Sequence, residues 1–217
     1  MKKVLVFSLA LALAGIARAQ ELAITQSGDS VYLFADGTWE YYNEEVYANG
    51  SDLDFVEIPL NETAFEKPAN AKSKVSGSDA FYEIWYNAKE WKRIPSGRIN
   101  ESADVVMTYQ KGDIYLMTIY EKIQIPIDNL MQIAVQNAQN AASEVEVIHK
   151  EKRKVNGKEV GHMQIVGSTN GINFTYYSYY YSNEKGTVQV TTFTGQNLFE
   201  EYRPAMEALL NGLIIND

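Results

Sequence analysis

From Ala80 to the C-terminus the chain alternates apolar and polar residues with the period of two expected of half-buried strands, and it switches twice to helical spacing. Phe81 to Tyr86 and Trp91 to Ile94 predict two strands joined by Asn87-Ala88-Lys89-Glu90. Asp104 to Gln110 and Ile114 to Ile123 predict two more, across Lys111-Gly112-Asp113. Residues 126–142 change period: Leu130, Ile133, Ala134, Ala138 and Ala141 recur on one helical face, and Pro126 suits a first turn because its missing N–H has no partner to lose there. Four strands follow, Ser143 to Lys154, Lys158 to Ser168, Ile172 to Ser182 and Thr187 to Thr194. Asn156-Gly157, Asn170-Gly171 and Asn183-Glu184-Lys185-Gly186 separate them. Asn-Gly accepts the positive φ angles of a tight hairpin, so these neighbours pair antiparallel. Leu198 to Leu213 predicts a closing helix, with Pro204 starting or kinking it and Gly212 near its stop. Strands, helix, strands, helix is the order of an α+β fold, an antiparallel meander packed with two main helices.

The region before Ala80 is built differently. Met1-Lys2-Lys3, an apolar run from Val4 to Ala17, and Ala17-Arg18-Ala19 before Gln20 have the form of a bacterial secretory signal peptide, cleaved near Ala19-Gln20. The apolar run is shorter than the ~20 residues of a membrane-spanning helix, and no later run is long enough. The expectation is a periplasmic or secreted protein with no transmembrane segment after cleavage. Residues 20–43 predict a small β-hairpin segment turning at Asp36-Gly37, and residues 44–79, punctuated by Asn49-Gly50, Pro59, Pro68 and Ser76-Gly77-Ser78, read as an acidic linker to a domain over 80–217. The phrase Leu33 to Tyr41 resembles a short hairpin found near the N-terminus of many exported bacterial proteins.

Charge sharpens this division. The net charge is −9, and it becomes −12 when Lys2, Lys3 and Arg18 leave with the signal. Between Gln20 and Glu66 there are eleven acids and no Lys or Arg, so that stretch holds nearly all the imbalance. An acidic chain lacks the cationic surface that sequence-independent nucleic-acid binding requires. The chain has no Cys, which excludes disulfides, thiolate metal sites and thiol nucleophiles.

The order β-β-β-β-α-β-β-β-β-α over residues 80–215 resembles the PsbP/DcrB-like fold, an α/β/α sandwich shared by the photosystem II extrinsic protein, exported bacterial relatives and a Ran-binding nuclear factor. The resemblance is carried by the aromatic first strands ending in Trp91, the helix opening at Pro126, Val155-Asn156-Gly157-Lys158, Phe174 to Ser182, Gly186 to Thr194 and the closing Ala208 to Leu213. It implies a binding or assembly-assisting module rather than an enzyme, and it carries over no functional residue.

Three groups of side chains are candidates for chemistry. If Asn156-Gly157 is the turn, paired residue numbers sum to 313. His162 then faces Glu151 and His149 faces Gln164, with His149, Glu151 and His162 on one face as a possible Zn²⁺ site; the alternative is polar residues near a hairpin tip. Lys150, Lys152, Arg153, Lys154 and Lys158 make that tip basic, either as a solvated face or as a dock for the acidic stretch 20–66. Alternation along Phe174 to Tyr181 sends Tyr176 and Tyr180 to one face and Tyr177, Tyr179 and Tyr181 to the other. These are either core residues or, with Trp85 or Trp91, a platform for a sugar or aromatic ligand. Asp52 and Asp54 offer oxygen ligands too few for a Ca²⁺ cage, and Asp29-Ser30-Val31 resembles an O-glycosylation acceptor. Glu83 and Glu121 sit in apolar strands as either shifted acids or ion-paired residues. No nucleophile elbow, phosphate loop, dinucleotide fingerprint or His-Glu-x-x-His is present, so no cofactor is expected. The expected function is that of an exported, non-enzymatic binding or assembly-assisting protein of the cell envelope. A small-ligand binder using the Tyr strand, or an unrecognised hydrolase, are the alternatives, and the partner is an envelope protein or a small ligand.

Overall fold

A computed structural model describes residues 21–24, 30–33, 38–41, 58–96 and 99–216. The signal segment 1–19, Asp29, the Asp36-Gly37 turn and the Asp52/Asp54 pair lie outside the described residues. Near the N-terminus, β1 (Glu21–Ile24), β2 (Ser30–Leu33) and β3 (Trp39–Tyr41) pair antiparallel, with Val31 opposite both Ala23 and Tyr41.

The remaining strands are β4 (Leu60–Phe65), β5 (Ser73–Ser76), β6 (Tyr82–Tyr86), β7 (Trp91–Ile94), β8 (Val105–Tyr109), β9 (Tyr115–Glu121), β10 (Ser143–Val155), β11 (Lys158–Thr169), β12 (Ile172–Asn183), β13 (Gly186–Gly195) and β14 (Leu213–Ile215). The helices are α1 (Ile127–Ala141) and α2 (Phe199–Leu210). The large sheet runs β4-β10-β11-β12-β13-β9-β8-β7, and a small sheet runs β14-β6-β5. This is the expected α+β architecture, and β8–β9, β10–β11, β11–β12 and β12–β13 pair antiparallel across the turns their sequences predict. The strands on either side of Asn87 to Glu90 do not pair: β6 lies in the small sheet and β7 at the edge of the large one.

Three strands were not anticipated. β4 joins β10 in parallel, Leu60 opposite Lys152 and Phe65 opposite Val155, which makes the large sheet mixed rather than wholly antiparallel. β5 pairs with β6, so the stretch read as linker up to residue 79 contributes to both sheets. The closing helix ends at Leu210, with Pro204 inside it, and Leu213–Ile215 leaves it to pair with β6. Gly212 permits that exit: a Cβ there would sit 2.0 Å from the Trp85 carbonyl oxygen.

Each face of the large sheet buries its own core, as the two-sided apolar pattern of β11 to β13 requires. α1 packs over Met163, Ile165 and Tyr180 through Leu130, Met131 and Ala138. On the other face Tyr177, Tyr179, Val188 and Val190 pack with Met107 and Leu116 against Met206, Leu209 and Leu210 of α2 and Ile84 and Leu213 of the small sheet. Burying a side chain of this size contributes about 1.5–3 kcal/mol, so both helices are held by the sheet rather than by their own propensity.

Candidate functional site

The β10–β11 hairpin positions the site. Asn156 (φ 49°) and Gly157 (φ 81°) both take positive φ, the signature of the primed two-residue turn. That turn sets Glu151 opposite His162 and His149 opposite Gln164, the register expected from the sequence. Candidate ligand atoms of His149, Glu151 and His162 lie within 4.8 Å of one another. His149 Nε2 is 3.4 Å from Glu151 Oε2, and the rings of His149 and His162 are 5.7 Å apart.

His162 is fully buried. Its Nδ1 is 3.0 Å from the Ser178 carbonyl oxygen, which only accepts, so Nδ1 carries the proton and Nε2 presents its lone pair. Nε2 has no hydrogen-bond partner among the described residues. Burial first, then the Arg153 charge, hold the His162 pKa down at about 3, so the ring is neutral. Tyr177 meets it edge-on at 4.4 Å and Tyr179 at 5.5 Å.

Arg153, which the sequence groups with the basic tip as part of a solvated face or of a dock for the acidic stretch, is buried, at 7% exposed. Its Nε donates to Glu151 Oε1, and its Nη1 to Glu207 Oε1 at 3.0 Å and to the Tyr179 hydroxyl at 3.2 Å. Nη2 reaches the Tyr177 hydroxyl at 3.4 Å, and the guanidinium lies 4.5 Å from the Phe65 ring centre. The alternation that buries Val155 and Glu151 buries Arg153 between them, and this was the available signal. Burial pushes the Glu151 carboxyl up, but Arg153, with Asn61 and His149, outweighs it and holds the carboxyl below its ordinary range. Glu151 therefore divides its oxygens: Oε1 serves Arg153, while Oε2 accepts from Asn61 Nδ2 at 3.1 Å and faces His149.

The other candidates are placed differently. Tyr177, Tyr179 and Tyr180 are buried and Tyr176 is half-buried, on the two faces alternation assigned them. Their rings are core, and the hydroxyls of Tyr177 and Tyr179 are tied to Arg153, Glu207 and Asn211. Tyr177 and Tyr179 thus build a wall of the Arg153 network, while Tyr176 and Tyr180 pack on the α1 face. Trp91 is buried against Tyr109. Trp85 lies half-buried in the small sheet, its Nε1 donating to Glu83 Oε2 and Lys67 and Lys74 lying over its ring. Glu83 is ion-paired, and the hydrogen bond from Lys74 holds its carboxyl below the ordinary value; Glu121 is exposed at a strand end. Of the basic tip, Lys154 pairs with Glu62 at 2.6 Å, and Lys152 lies 3.4 Å from Asp128. Among the described residues no helix is long and apolar enough to cross a membrane.

No family model matches the chain, and no curated protein is similar to it in sequence. Solved structures are similar in fold. Cyanobacterial PsbP (CyanoP) from Synechocystis sp. PCC 6803 aligns at 14% identity over 66% of this chain and 92% of its own, with a TM-score of 0.50. LpqN, a protein involved in cell envelope biogenesis of Mycobacterium tuberculosis, aligns at 13% identity over 67% of this chain and 90% of its own, also with a TM-score of 0.50. The fold of the chain is therefore PsbP/DcrB-like.

Proposed function

We propose that the protein acts outside the cytoplasm as a non-enzymatic module that binds, or assists the assembly of, another component of the bacterial cell envelope. The export-type segment 1–19 and the fold shared with CyanoP and with LpqN of cell envelope biogenesis support this reading. The observation that carries it is a set of exposed aliphatic side chains toward one end of the large sheet. β4 pairs with β10 only from Lys152 to Val155, and register shifts interrupt β10 between Ser143 and Glu146 and between Val147 and His149. A bulge re-aims side chains. Here two consecutive apolar residues, Val147 at 37% and Ile148 at 48%, are exposed, and Ile172 at 66% lies on the neighbouring hairpin at the same end. Exposed aliphatic side chains at this end of the sheet add nothing to the core and are available to a protein partner. The partner proposed is an envelope protein that presents an apolar face.

The test is site-specific photocrosslinking in the producing bacterium, with the crosslinker at Ile148 or Ile172 and, as a control, at Lys92 on the opposite edge strand β7. A discrete envelope-protein adduct from 148 and 172 but not from 92, lost in Ile148→Glu/Ile172→Glu with an unchanged melting temperature, is the expected result. Equal adducts at all three positions, or recovery of the chain from the cytoplasmic fraction, would refute the proposal.

A further inference from the structure

The polar cluster on the β10–β11 hairpin has a different chemistry and stands independently of partner docking. We infer that His149, Glu151 and His162 form a binding site for one Zn²⁺-type divalent cation, with an open fourth position. The donor set is two imidazoles and a carboxylate, three protein ligands of the kind that leave zinc a free coordination site. The 3.4 Å between His149 Nε2 and Glu151 Oε2 is close to the separation of two ligands about 2.0–2.2 Å from a tetrahedral ion. All three candidate atoms lie within 4.8 Å, and His149, about half exposed, is the one free to rotate inward and close the set.

His162 supplies the second, independent sign. A buried imidazole nitrogen without a partner costs free energy, and a native core seldom leaves one so. Here the orphan atom is Nε2, the nitrogen left with a lone pair once Nδ1–H is fixed on the Ser178 carbonyl oxygen. That outer hydrogen bond is the usual device for fixing the tautomer and ring orientation of a metal-binding histidine. Glu151 is arranged in the same way, Asn61 and Arg153 orienting its carboxylate. The Arg153 charge opposes a nearby cation, but it is shared between Glu151 Oε1 and Glu207 Oε1, which leaves Oε2 for the metal. Neutral imidazole and carboxylate suit zinc over magnesium or calcium, which take all-oxygen shells.

The full chain, purified without a His tag and stripped with chelator, should bind one zinc ion with a dissociation constant of about 1 µM or tighter by calorimetry. Its melting temperature should rise with zinc and not with magnesium or calcium, and the His162 ring-nitrogen resonance should move. His149→Ala, a change at a half-exposed position, should melt like the unaltered chain without metal and bind zinc at least roughly tenfold more weakly. His162→Gln should abolish binding, and if it does not fold His149→Ala still decides. No heat and no melting shift with zinc, or binding that His149→Ala leaves unchanged, would overturn the site.

Discussion

Asn156 does two jobs at one position. Its backbone, with φ at 49°, starts the β10–β11 turn, while its side chain binds three residues of two other segments. Nδ2 donates to the carbonyl oxygens of Asn211 at 2.9 Å and Leu213 at 2.8 Å, where α2 gives way to β14, and Oδ1 accepts from the Lys67 N–H at 2.8 Å. The two jobs separate by mutation. Asn156→Gly keeps the backbone conformation and removes three hydrogen bonds, for a loss of about 2–4 kcal/mol. Gly157→Ala keeps every hydrogen bond and strains only the turn, where an added Cβ meets nothing within 4 Å, for about 1 kcal/mol. Urea denaturation should therefore rank Asn156→Gly as the more damaging. The reverse order would mean that the side chain is not a staple. At this scale the sequence was half legible. Asn-Gly announces a turn because few residues accept positive φ, and from the turn followed the Glu151–His162 register. Which carbonyls the amide would meet depends on segments 55 and 57 residues away, for which no local pattern exists. Depth was half legible too: alternation from Val155 sets Arg153 on the inward face, but how deep that face lies depends on β4, α2 and the Tyr strand that enclose it.

Among elements, the legible ones obey strong local rules. β10 to β13 are long, alternate, and are separated by Asn-Gly or Gly-containing turns; α1 repeats Leu130, Ile133, Ala134 and Ala138 behind Pro126. β4, β5 and β14 have no such signal. β4 carries only sparse apolar positions in Leu60-Asn61-Glu62-Thr63-Ala64-Phe65 and pairs in parallel, without a turn to announce it, and β14 is a three-residue apolar run that reads equally as the end of a helix. How α1 lies on the sheet turns on one small residue. Gly161 of β11 sits between Lys152 and Tyr180 in the ladder, and a Cβ there would come within 2.6 Å of Met131 Sδ and 2.7 Å of Ile127 Cγ2. Gly161→Val should destabilise by at least about 2 kcal/mol through overpacking. Met131→Ala alone leaves a cavity and should cost about 2–5 kcal/mol. Since each change relieves the other, the double variant should be more stable than the two losses combined predict, by about 1 kcal/mol or more. Strict additivity would show that α1 does not rest on Gly161.

For the whole molecule, the acidity that divides the chain in sequence does not divide it in structure. The acidic stretch 20–66 ends inside the large sheet: β4 carries Glu62 to Lys154, Asn61 to Glu151 and Phe65 to the Arg153 guanidinium. The basic hairpin tip does meet the acidic stretch, but magnitudes decide what that meeting is worth. The Lys154–Glu62 pair is exposed on both sides, and such pairs contribute about 0–1 kcal/mol and are screened by salt. Against this stand the backbone bonds Lys152 N–H to Pro59 O at 2.8 Å and Asn156 N–H to Phe65 O at 2.9 Å, and the cover that Phe65 gives a buried cation. Losing those backbone bonds, the Asn61–Glu151 hydrogen bond and the Phe65 packing costs several kcal/mol and depends little on salt. A chain begun at residue 58 should then keep the stability of residues 58–217 as a unit, whereas one begun at residue 67 should lose on the order of 3 kcal/mol or more. That loss should vary by less than about 1 kcal/mol between low and high salt, because little of it is charge pairing at the surface. Chemical denaturation of the two chains at both salt concentrations checks this. A loss that vanishes at high salt would make the contact electrostatic docking of an acidic segment, and equal stability of the two chains would remove β4 from the cooperative fold.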